Sequence, residues 1–325
     1  MSLDSALSTR HSALFSIVIP NWNGLRFLPV CLDALQRQTY PAASIEVIIV
    51  DNASTDGSQE AIRRDYPWVK LIDLPENRGF TGSCNAGIQA AQGAYVALLN
   101  NDTEVDPNWV SSVVDAFNGH PEVGSVASKM LLFDQRDRIH TAGDYFTREG
   151  RAGNRGVWQA DGDLFNHEEY VFSACGGSSA YRKSLLDQIG LLDNDFFFSL
   201  EDVDLGWRAQ LAGWRCLYTP AAIVYHHLSA TGGGVTASYY DGRNLIFVLV
   251  KDFPSSLWRK YGGRIIRAQM RLAWEALRAW RGEAARARLR GMVAGLRGVP
   301  LMLKKRRIVQ TQRKLSDAEV EALLS

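Results

Sequence analysis

Short apolar runs rich in β-branched residues alternate with stretches of three- and four-residue apolar spacing over the first hundred residues. Phe15-Ser16-Ile17-Val18-Ile19-Pro20 reads as a buried strand, as do residues 45–50, 69–72 and 94–99. Between the first two, Leu25, Leu28, Leu32 and Leu35 form one apolar helix face that stops at Thr39-Tyr40-Pro41. A second helix begins after Ser58, and a small-residue helix spans residues 85–92. Strand and helix alternating through short loops predict an α/β domain, a mainly parallel sheet covered by helices on both faces. Each strand ends in a polar loop, at 21–23, 51–54, 77–79 and 100–102. Ligands of open α/β sheets bind beyond the carboxyl ends of the strands, so one crevice would collect all four loops. A carboxylate there, Asp102, suits a hard cation that in turn holds phosphate oxygens. A solvated Asn/Asp turn is the simpler alternative.

Past the fourth strand the pattern weakens. Residues 133–170 are polar and Gly-rich, a meandering insert bordering the site. Residues 170–181 read as one strand interrupted at Gly176-Gly177, either a close approach of ligand or backbone, or a bulge. The aromatic run Phe196-Phe197-Phe198 then delivers Glu201, Asp202 and Asp204 to the start of a helix that ends near Gly213. Ser199 with Asp202 three residues on resembles a capping box, and acids favour a helix N-terminus, but capping uses only one or two of the three. Residues 222–231 read as a strand carrying His226 and His227. A histidine there is a ligand candidate in a chain with a cation-type carboxylate, against the plainer role of a satisfied polar residue.

Composition adds the compartment and a tail. The 325 residues are 46% hydrophobic, enough for a sizeable core. Cys31, Cys84, Cys175 and Cys216 are scattered without a C-x-x-C pair, as expected of reduced thiols in a cytosolic protein, and no zinc site is expected. Residues 1–12 lack an apolar signal core and no apolar run nears about eighteen residues, so neither secretion nor membrane spanning is expected. No G-x-G-x-x-G follows the first strand and no Walker Gly-Lys-Ser/Thr occurs, which argues against a dinucleotide dehydrogenase and a P-loop ATPase. The net charge of +1 conceals an asymmetry: residues 251–314 hold eighteen Lys/Arg against Asp252, Glu275 and Glu283. There Trp258, Ile265, Ile266, Met270, Leu272, Trp274, Leu277 and Trp280 recur among arginines at helical spacing. This fits an interfacial helix on an anionic membrane. It fits equally a helical cap or dimer contact with Arg stems over apolar surface. The expected organisation is a tail at 1–13, an α/β domain at 14–250 and a basic helical extension at 251–325.

Four segments in order resemble the family 2 glycosyltransferases of GT-A fold. They are Ile17-Val18-Ile19-Pro20-Asn21-Trp22-Asn23-Gly24; Val50-Asp51-Asn52-Ala53-Ser54-Thr55-Asp56-Gly57-Ser58; Asn77-Arg78-Gly79-Phe80 through Asn85-Ala86-Gly87 to Leu99-Asn100-Asn101-Asp102; and Glu201-Asp202-Val203-Asp204-Leu205-Gly206-Trp207-Arg208. Tyr225-His226-His227 and Arg243-Asn244 look like further landmarks, and the likeness covers roughly residues 14–250. Its flavour is the bacterial rhamnosyl- and galactofuranosyl-transferase-like branch that builds cell-surface polysaccharides. The resemblance implies that Pro20, Asn21, Asn23, Asn52, Asn85 and Asn101 border the nucleotide and that Asp51 meets base or ribose. It places Arg78 near the base or diphosphate. Asp102 would be the last acid of the D-x-D motif and hold Mg²⁺ or Mn²⁺, with Asn100 standing where the motif has its first Asp. His226 would be a further ligand, its neighbour His227 remaining an alternative. Asp202 would be the base, and Gly176, Gly177, Glu201 and Trp207 would face donor or acceptor sugar.

The chemistry accounts for these residue types. Transfer passes through an oxocarbenium-like centre. The leaving diphosphate gathers charge that a divalent ion and Arg78 can neutralise, while a carboxylate takes the acceptor proton. One displacement inverts the anomeric carbon; a retaining route needs a second nucleophile, for which the sequence offers no assignment. The expected protein is therefore an inverting, metal-dependent hexosyltransferase using a UDP- or dTDP-sugar. Its acceptor would be a glycan or a lipid-linked molecule. It would be cytoplasmic and peripheral on the inner membrane face, with no nucleic-acid partner and with homodimer contacts through the C-terminal helices. The alternative is a non-catalytic sugar-nucleotide-binding or scaffolding module on the same fold; the presence of both Asp102 and Asp202 favours the enzyme. A nucleotidyltransferase would carry a Gly-rich, Lys/Arg-bearing loop after the first strand, which Asn21-Trp22-Asn23-Gly24 is not.

Overall fold

The computed structural model describes residues 13–227 and 233–325. The first half runs β1 (Phe15–Asn21), α1 (Leu28–Gln36), β2 (Ile45–Asp51), α2 (Ser58–Asp65), β3 (Lys70–Asp73), α3 (Gly79–Ala90), β4 (Tyr95–Leu99), β5 (Thr103–Val105), α4 (Trp109–Gly119) and β6 (Val123–Leu132). Then come β7 (Ile139–Thr141), β8 (Asp144–Phe146), β9 (Ala152–Asn154), β10 (Glu169–Val171), β11 (Ser178–Arg182), α5 (Lys183–Ile189), α6 (Glu201–Leu211) and β12 (Arg215–His226). Four helices close the chain: α7 (Gly234–Lys251), α8 (Ser255–Arg278), α9 (Glu283–Thr311) and α10 (Asp317–Ala322).

Period-two alternation along the strands builds two apolar layers. Phe15, Ile17 and Ile19 of β1 pack with Leu28, Leu32, Trp109, Val113 and Phe117 on one side of the sheet. Val18, with Ile48 and Val50 of β2, packs on the other side with Cys84, Ile88, Leu185 and Leu205. The main sheet runs β10-β12-β6-β11-β4-β1-β2-β3. β1 to β4 are mutually parallel where they pair, as the sequence pattern predicts. β11 is antiparallel to both β4 and β6, and β12 returns parallel to β6.

Several boundaries differ from the sequence reading. α1 starts only at Leu28, with Pro29 in its first turn, which leaves Leu25 outside the helix. Residues 170–181 form two strands, not one: β10 is an edge strand and β11 lies between β4 and β6, because the segment around Gly176-Gly177 leaves the sheet to wall the cleft. β12 begins seven residues before the expected 222, and its pairing with β6 shifts register between Thr219 and Ile223, where Pro220 has no N–H to give the ladder. The end of that expected strand, at 228–231, and the first twelve residues of the expected tail lie outside the described residues.

The C-terminal helices form a third layer around Phe146, Trp207, Phe247, Phe253, Tyr261 and Met302. α7 and α9 cross at backbone contact: a Cβ on Gly242 would press on the Arg288 carbonyl, and one on Gly295 would come within 2.9 Å of the Arg243 carbonyl oxygen. Charges lock this layer to the sheet domain. Lys251 Nζ lies 2.7 Å from Asp193 and 2.5 Å from Asp204, and Arg208 pairs with Asp204 at 2.9 Å. Lys305 pairs with Asp193 and Asp195, and Arg306 donates to the carbonyls of Val250 (2.8 Å) and Phe253 (2.7 Å). One side of the basic extension is therefore a packing element, while Ile266, Met270, Trp274 and Leu277 on its other side stay exposed. Among the described residues no helix is long and apolar enough to cross a membrane.

Candidate active site

The order of the sheet reverses at β1: β2 and β3 extend to one side and β4 lies on the other, the place where open α/β sheets form a ligand crevice. There Asn101 Nδ2 donates to Asn21 Oδ1 at 2.7 Å, and Asn21 Nδ2 donates to Asp51 Oδ2 at 2.9 Å. The other Asp51 oxygen accepts from Ser54 N (2.9 Å) and Gln59 Nε2 (2.6 Å). Asn23, at φ 52°, accepts from Thr55 N at 2.8 Å. Asn52 donates to Asn77 Oδ1 at 2.9 Å and accepts from Arg78 N at 2.8 Å. These interlocked amides fix one wall of a cleft of about 850 Å³, within the usual size of a small-ligand site.

The far end of the cleft is built by α6 and the loop before it. Phe197 (φ 61°), Ser199 (φ 67°) and Leu200 (φ 63°) are left-handed without being glycine, at a cost of roughly 1–2 kcal/mol each. α7 holds them there. Asn244, fully buried, donates through Nδ2 to the carbonyls of Phe196 (3.0 Å), Phe198 (2.8 Å) and Ser199 (2.7 Å). Arg243 donates to those of Asp195 (2.7 Å) and Phe196 (2.6 Å). From the β3–α3 turn, Gly79 at φ 71° approaches the loop so closely that a Cβ would overlap the Phe197 carbonyl oxygen. The capping box expected of Ser199 and Asp202 does not form. Ser199 Oγ donates to Asp241 Oδ1 at 2.6 Å, and Leu200 is the cap residue, without a side-chain bond.

Asp202 is thereby left facing the cleft. Its Oδ2 accepts from Gly176 N at 2.7 Å and its Oδ1 from Val203 N at 2.8 Å. Burial raises it above the usual carboxylate range, and the two N–H donors pull the other way. Glu201 is pushed well above its ordinary value by burial first and the Asp202 charge second. So is Asp144, which β8 brings to the same cleft. Asp144 accepts from Asn154 Nδ2 (2.9 Å) and Ser173 Oγ (3.1 Å), neither of them a charged donor. Of three crowded carboxyls, the one with a backbone N–H on each oxygen is set to ionise first, and burial with its charge pushes the other two toward their neutral forms. Asp144 was not legible in the sequence: it lies in the weakly patterned insert, with no motif around it.

At the end of β4, buried Asp102 lies with Oδ1 3.1 Å from Nε2 of His226 on β12. Pairing of β12 with β5, His226 opposite Thr103, sets this meeting. The contact lacks hydrogen-bond geometry, and His226 Nε2 makes no hydrogen bond among the described residues. Two donor atoms that converge in this way, one carboxylate and one imidazole, fit a shared divalent cation. His140 stands behind: its Nδ1 is 3.2 Å from His226 Nδ1, and the rings stack at 4.8 Å. Burial, then His226, pushes His140 down to about 4, so its ring is neutral. The His227 ring instead stacks on Phe133 at 3.6 Å and its backbone N–H donates to the Asp102 carbonyl (3.0 Å), so the side-chain contact falls to His226. Among the described residues no group of three or more His, Cys, Asp or Glu is placed to hold a metal ion by itself. The protein's share of a cation would be these two residues, the rest coming from phosphate oxygens and water, as Mg²⁺ commonly arranges.

Pro20, Asn21, Asn52, Asn101, Gly176, Gly177, Glu201 and Asp202 all line the cleft. Asp102 and His226 are buried and outside the lining, though Asp102 follows directly on the lining residues Asn100 and Asn101. Two expectations are corrected. Trp207 cannot face a sugar: the register of α6 turns it into the core, 0% exposed, against Phe146, Phe172 and Phe253. Asn85 does not border the nucleotide: its amide donates to Leu192 O (2.8 Å) and Asn194 Oδ1 (2.8 Å) and accepts from Leu192 N (3.0 Å), bracing the loop that leads to α6. The Arg78 side chain is half exposed, 3.7 Å from Glu76, and outside the lining. Gly176 is where bulk is excluded: a Cβ would stand 3.2 Å from Glu201 Oε1 and 3.4 Å from Asp202 Oδ2.

The model of the family "Glycosyl transferase family 2" matches residues 16–190. The chain is 27% identical over 239 residues to the N-acetylglucosaminyl-diphospho-decaprenol L-rhamnosyltransferase of Mycobacterium tuberculosis, over 66% of this chain and 77% of that one. It is 29% identical over 221 residues to the poly-beta-1,6-N-acetyl-D-glucosamine synthase of Staphylococcus aureus, over 66% of this chain and 51% of that one. Among solved structures, the mannosyltransferase PcManGT of Pyrobaculum calidifontis, in complex with GDP-Man and Mn²⁺, superposes with a TM-score of 0.56 at 16% identity, covering 96% of this chain and 79% of that one. S. aureus TarS 1-349 with UDP gives a TM-score of 0.56 at 17% identity, covering 92% and 90%. At such identities the structural likeness bears on the fold alone.

Proposed function

Because the chain belongs to glycosyl transferase family 2 and has the GT-A fold, we propose that it is an inverting glycosyltransferase. Its donor is a nucleoside-diphosphate sugar, UDP- or dTDP-linked, and its acceptor a hydroxyl of a glycan or lipid-linked molecule of the cell surface. The observation that carries this reading is the geometry of Asp202, which lines the cleft with Gly176 N–H and Val203 N–H on its two oxygens. In the reaction the acceptor hydroxyl attacks the anomeric carbon and loses its proton to Asp202. The bond from that carbon to the diphosphate oxygen breaks on the opposite face, so one displacement inverts the centre. A retaining route needs an ionised carboxylate as nucleophile, and Asp144 and Glu201 are both pushed toward their neutral forms. Neutral, they can donate hydrogen bonds to sugar hydroxyls. The amides of Asn21, Asn52 and Asn101 border the nucleotide. A Mg²⁺ or Mn²⁺ on Asp102 and His226 would neutralise the charge that gathers on the departing diphosphate. His140, behind His226, fixes the orientation of the imidazole and which of its nitrogens faces Asp102.

A lipid-linked acceptor is favoured by the mycobacterial relative, whose name carries a diphospho-decaprenol. It would place the enzyme at the inner face of the cytoplasmic membrane. The test is a donor screen over UDP-, dTDP- and GDP-sugars with and without Mn²⁺, read by release of the nucleoside diphosphate, with proton NMR of the product sugar for its anomeric form. Hydrolysis or transfer of one donor with inversion supports the reading. Binding of nucleotide sugars without turnover of any, with acceptor extracts supplied, favours the non-catalytic module, and retention removes Asp202 from the role of base.

A further inference from the structure

We infer that the outer face of α8 docks on an anionic lipid bilayer and so keeps the cleft, on the inner side of that helix, close to it. The inner side of α8 is occupied: Leu257, Tyr261, Ile265 and Ala268 are buried, and Leu272 reaches the cleft wall. The outer side carries Ile266 (55% exposed), Met270 (66%), Trp274 (61%) and Leu277 (50%), spaced by four, four and three residues along one stripe, with exposed Trp280 just past the helix end. Soluble surfaces expose large apolar residues singly. Five along about 21 Å, at 1.5 Å per residue, make a ridge. One step round the helix from this ridge lie Arg267, Arg271 and Arg278, all exposed. The only acid on α8 is Glu275, already paired with Arg271 at 2.8 Å.

The charges decide the occupant. A second copy of the chain would meet this face through a two-fold axis, pressing the arginine row against itself. A bilayer offers what both rows take: acyl depth for Ile, Met, Leu and Trp, and lipid phosphates for the arginines. The helix is too basic to cross the bilayer and would lie flat on it. Since Leu272 on the inner side of α8 and Arg288 of α9 line the cleft, a helix docked by its outer face keeps that cleft one helix diameter, ~10 Å, from the headgroups.

This deepens the reading of a lipid-linked acceptor, and its test needs no turnover. The full-length protein is sedimented with phosphatidylcholine vesicles with and without phosphatidylglycerol, at low and high salt. Binding only to the anionic vesicles, and released by salt, is expected. Each arginine contributes about fivefold, so the triple variant Arg267→Gln, Arg271→Gln, Arg278→Gln should bind roughly a hundredfold more weakly. The Met270→Ser, Trp274→Ser variant should also lose binding. Both should keep the parental melting temperature, because the altered side chains are exposed. No binding to either vesicle, or binding that neither variant weakens, overturns the proposal. So does a dimer in sedimentation velocity that Trp274→Ser disperses, which would make a second copy the occupant. Vesicle binding by a protein that turns over no donor would leave the docking surface standing and remove the enzyme reading instead.

Discussion

Asp202→Asn separates chemistry from architecture at one position. The side chain keeps its shape, and α6 keeps its first turn, because Leu200 and not residue 202 is the cap. Two terms act on stability. An amide has one acceptor oxygen, so either Gly176 N–H or Val203 N–H loses its partner, at about 1–3 kcal/mol. Against this, burial raises the native carboxyl above its ordinary value, so above that range the fold disfavours the ion that the amide replaces. The variant should therefore gain stability relative to the parent as pH rises through the raised native value. The pH-dependent part of the difference should vanish below the ordinary Asp value of about 3.9. Two offsetting terms leave the melting temperature near the parent's at pH 7–8. Turnover has no such offset: loss of a general base costs about 10²–10⁴-fold, or about 2.7–5.4 kcal/mol of barrier. The parent should also show an acid limb in kcat above the usual carboxylate range, and the variant should lack it. The assay is nucleoside diphosphate release against pH, with calorimetric nucleotide affinity and thermal melts on the same samples. Near-parental kcat in a folded variant, or an acid limb that persists, would refute the argument and shift the base to Asp144 or Glu201.

Asp102→Ala should weaken nucleoside diphosphate binding in the presence of Mn²⁺ by tenfold or more and leave metal-free binding unchanged; equal calorimetric affinities with and without metal in the parent would sink that assignment. Asn244→Ala removes the amide that serves three carbonyls of the left-handed loop, so a loss of about 2–4 kcal/mol in denaturant unfolding is expected, with kcat falling more than nucleotide affinity; a change under about 0.5 kcal/mol would show that the loop holds itself. Gly79→Ala combines a left-handed φ of 71° with overlap at the Phe197 carbonyl, so destabilisation above about 1–2 kcal/mol is expected in the same unfolding experiment, and a parental midpoint would exclude the close packing described.

What could be read from the sequence, and what could not, follows from the reach of each signal. β1, β2 and β4 are continuous apolar runs buried on both faces, and a local pattern finds them to within a residue. Asp102, Asp202 and His226 stand at element ends, where local punctuation marks them. The sequence reading assigns no element to 104–132, yet α4 and the wholly buried ten-residue β6 lie there. Ser125, Ser128 and Lys129 interrupt the apolar run of β6, and only long-range partners make them tolerable: Trp109 donates to Ser128 at 3.0 Å, and Lys129 donates to Asp161 at 2.8 Å. Trp207 and Asn85 were misplaced for a related reason. A motif names a residue type but not the face of the helix that carries it, and helix faces are set by packing. Asp144 and His140 reach the site through β8 and β7, three-residue strands too short for any periodicity to reveal.

The ammonium of Lys251 bears on how this architecture can be inherited. Composition marks a seam at residue 250, where acidic balance gives way to basic, and a seam of that kind invites shuffling of the extension between relatives. The contacts deny it. Lys251 is the last residue of α7, beyond that seam, and it compensates Asp193 and Asp204, with Asp193 also gripped by Lys305 from α9. Severing the chain at the seam would strand carboxylates in the interior, about 3–5 kcal/mol for each broken buried pair. An exchanged extension would have to arrive together with changes at 193, 204 and 208, in a loop and helix that also carry Asp202. Recombination at this boundary is thus coupled to the helix that carries Asp202, and the extension should diversify by substitution in place, with its ancestry tied to that of the domain it covers.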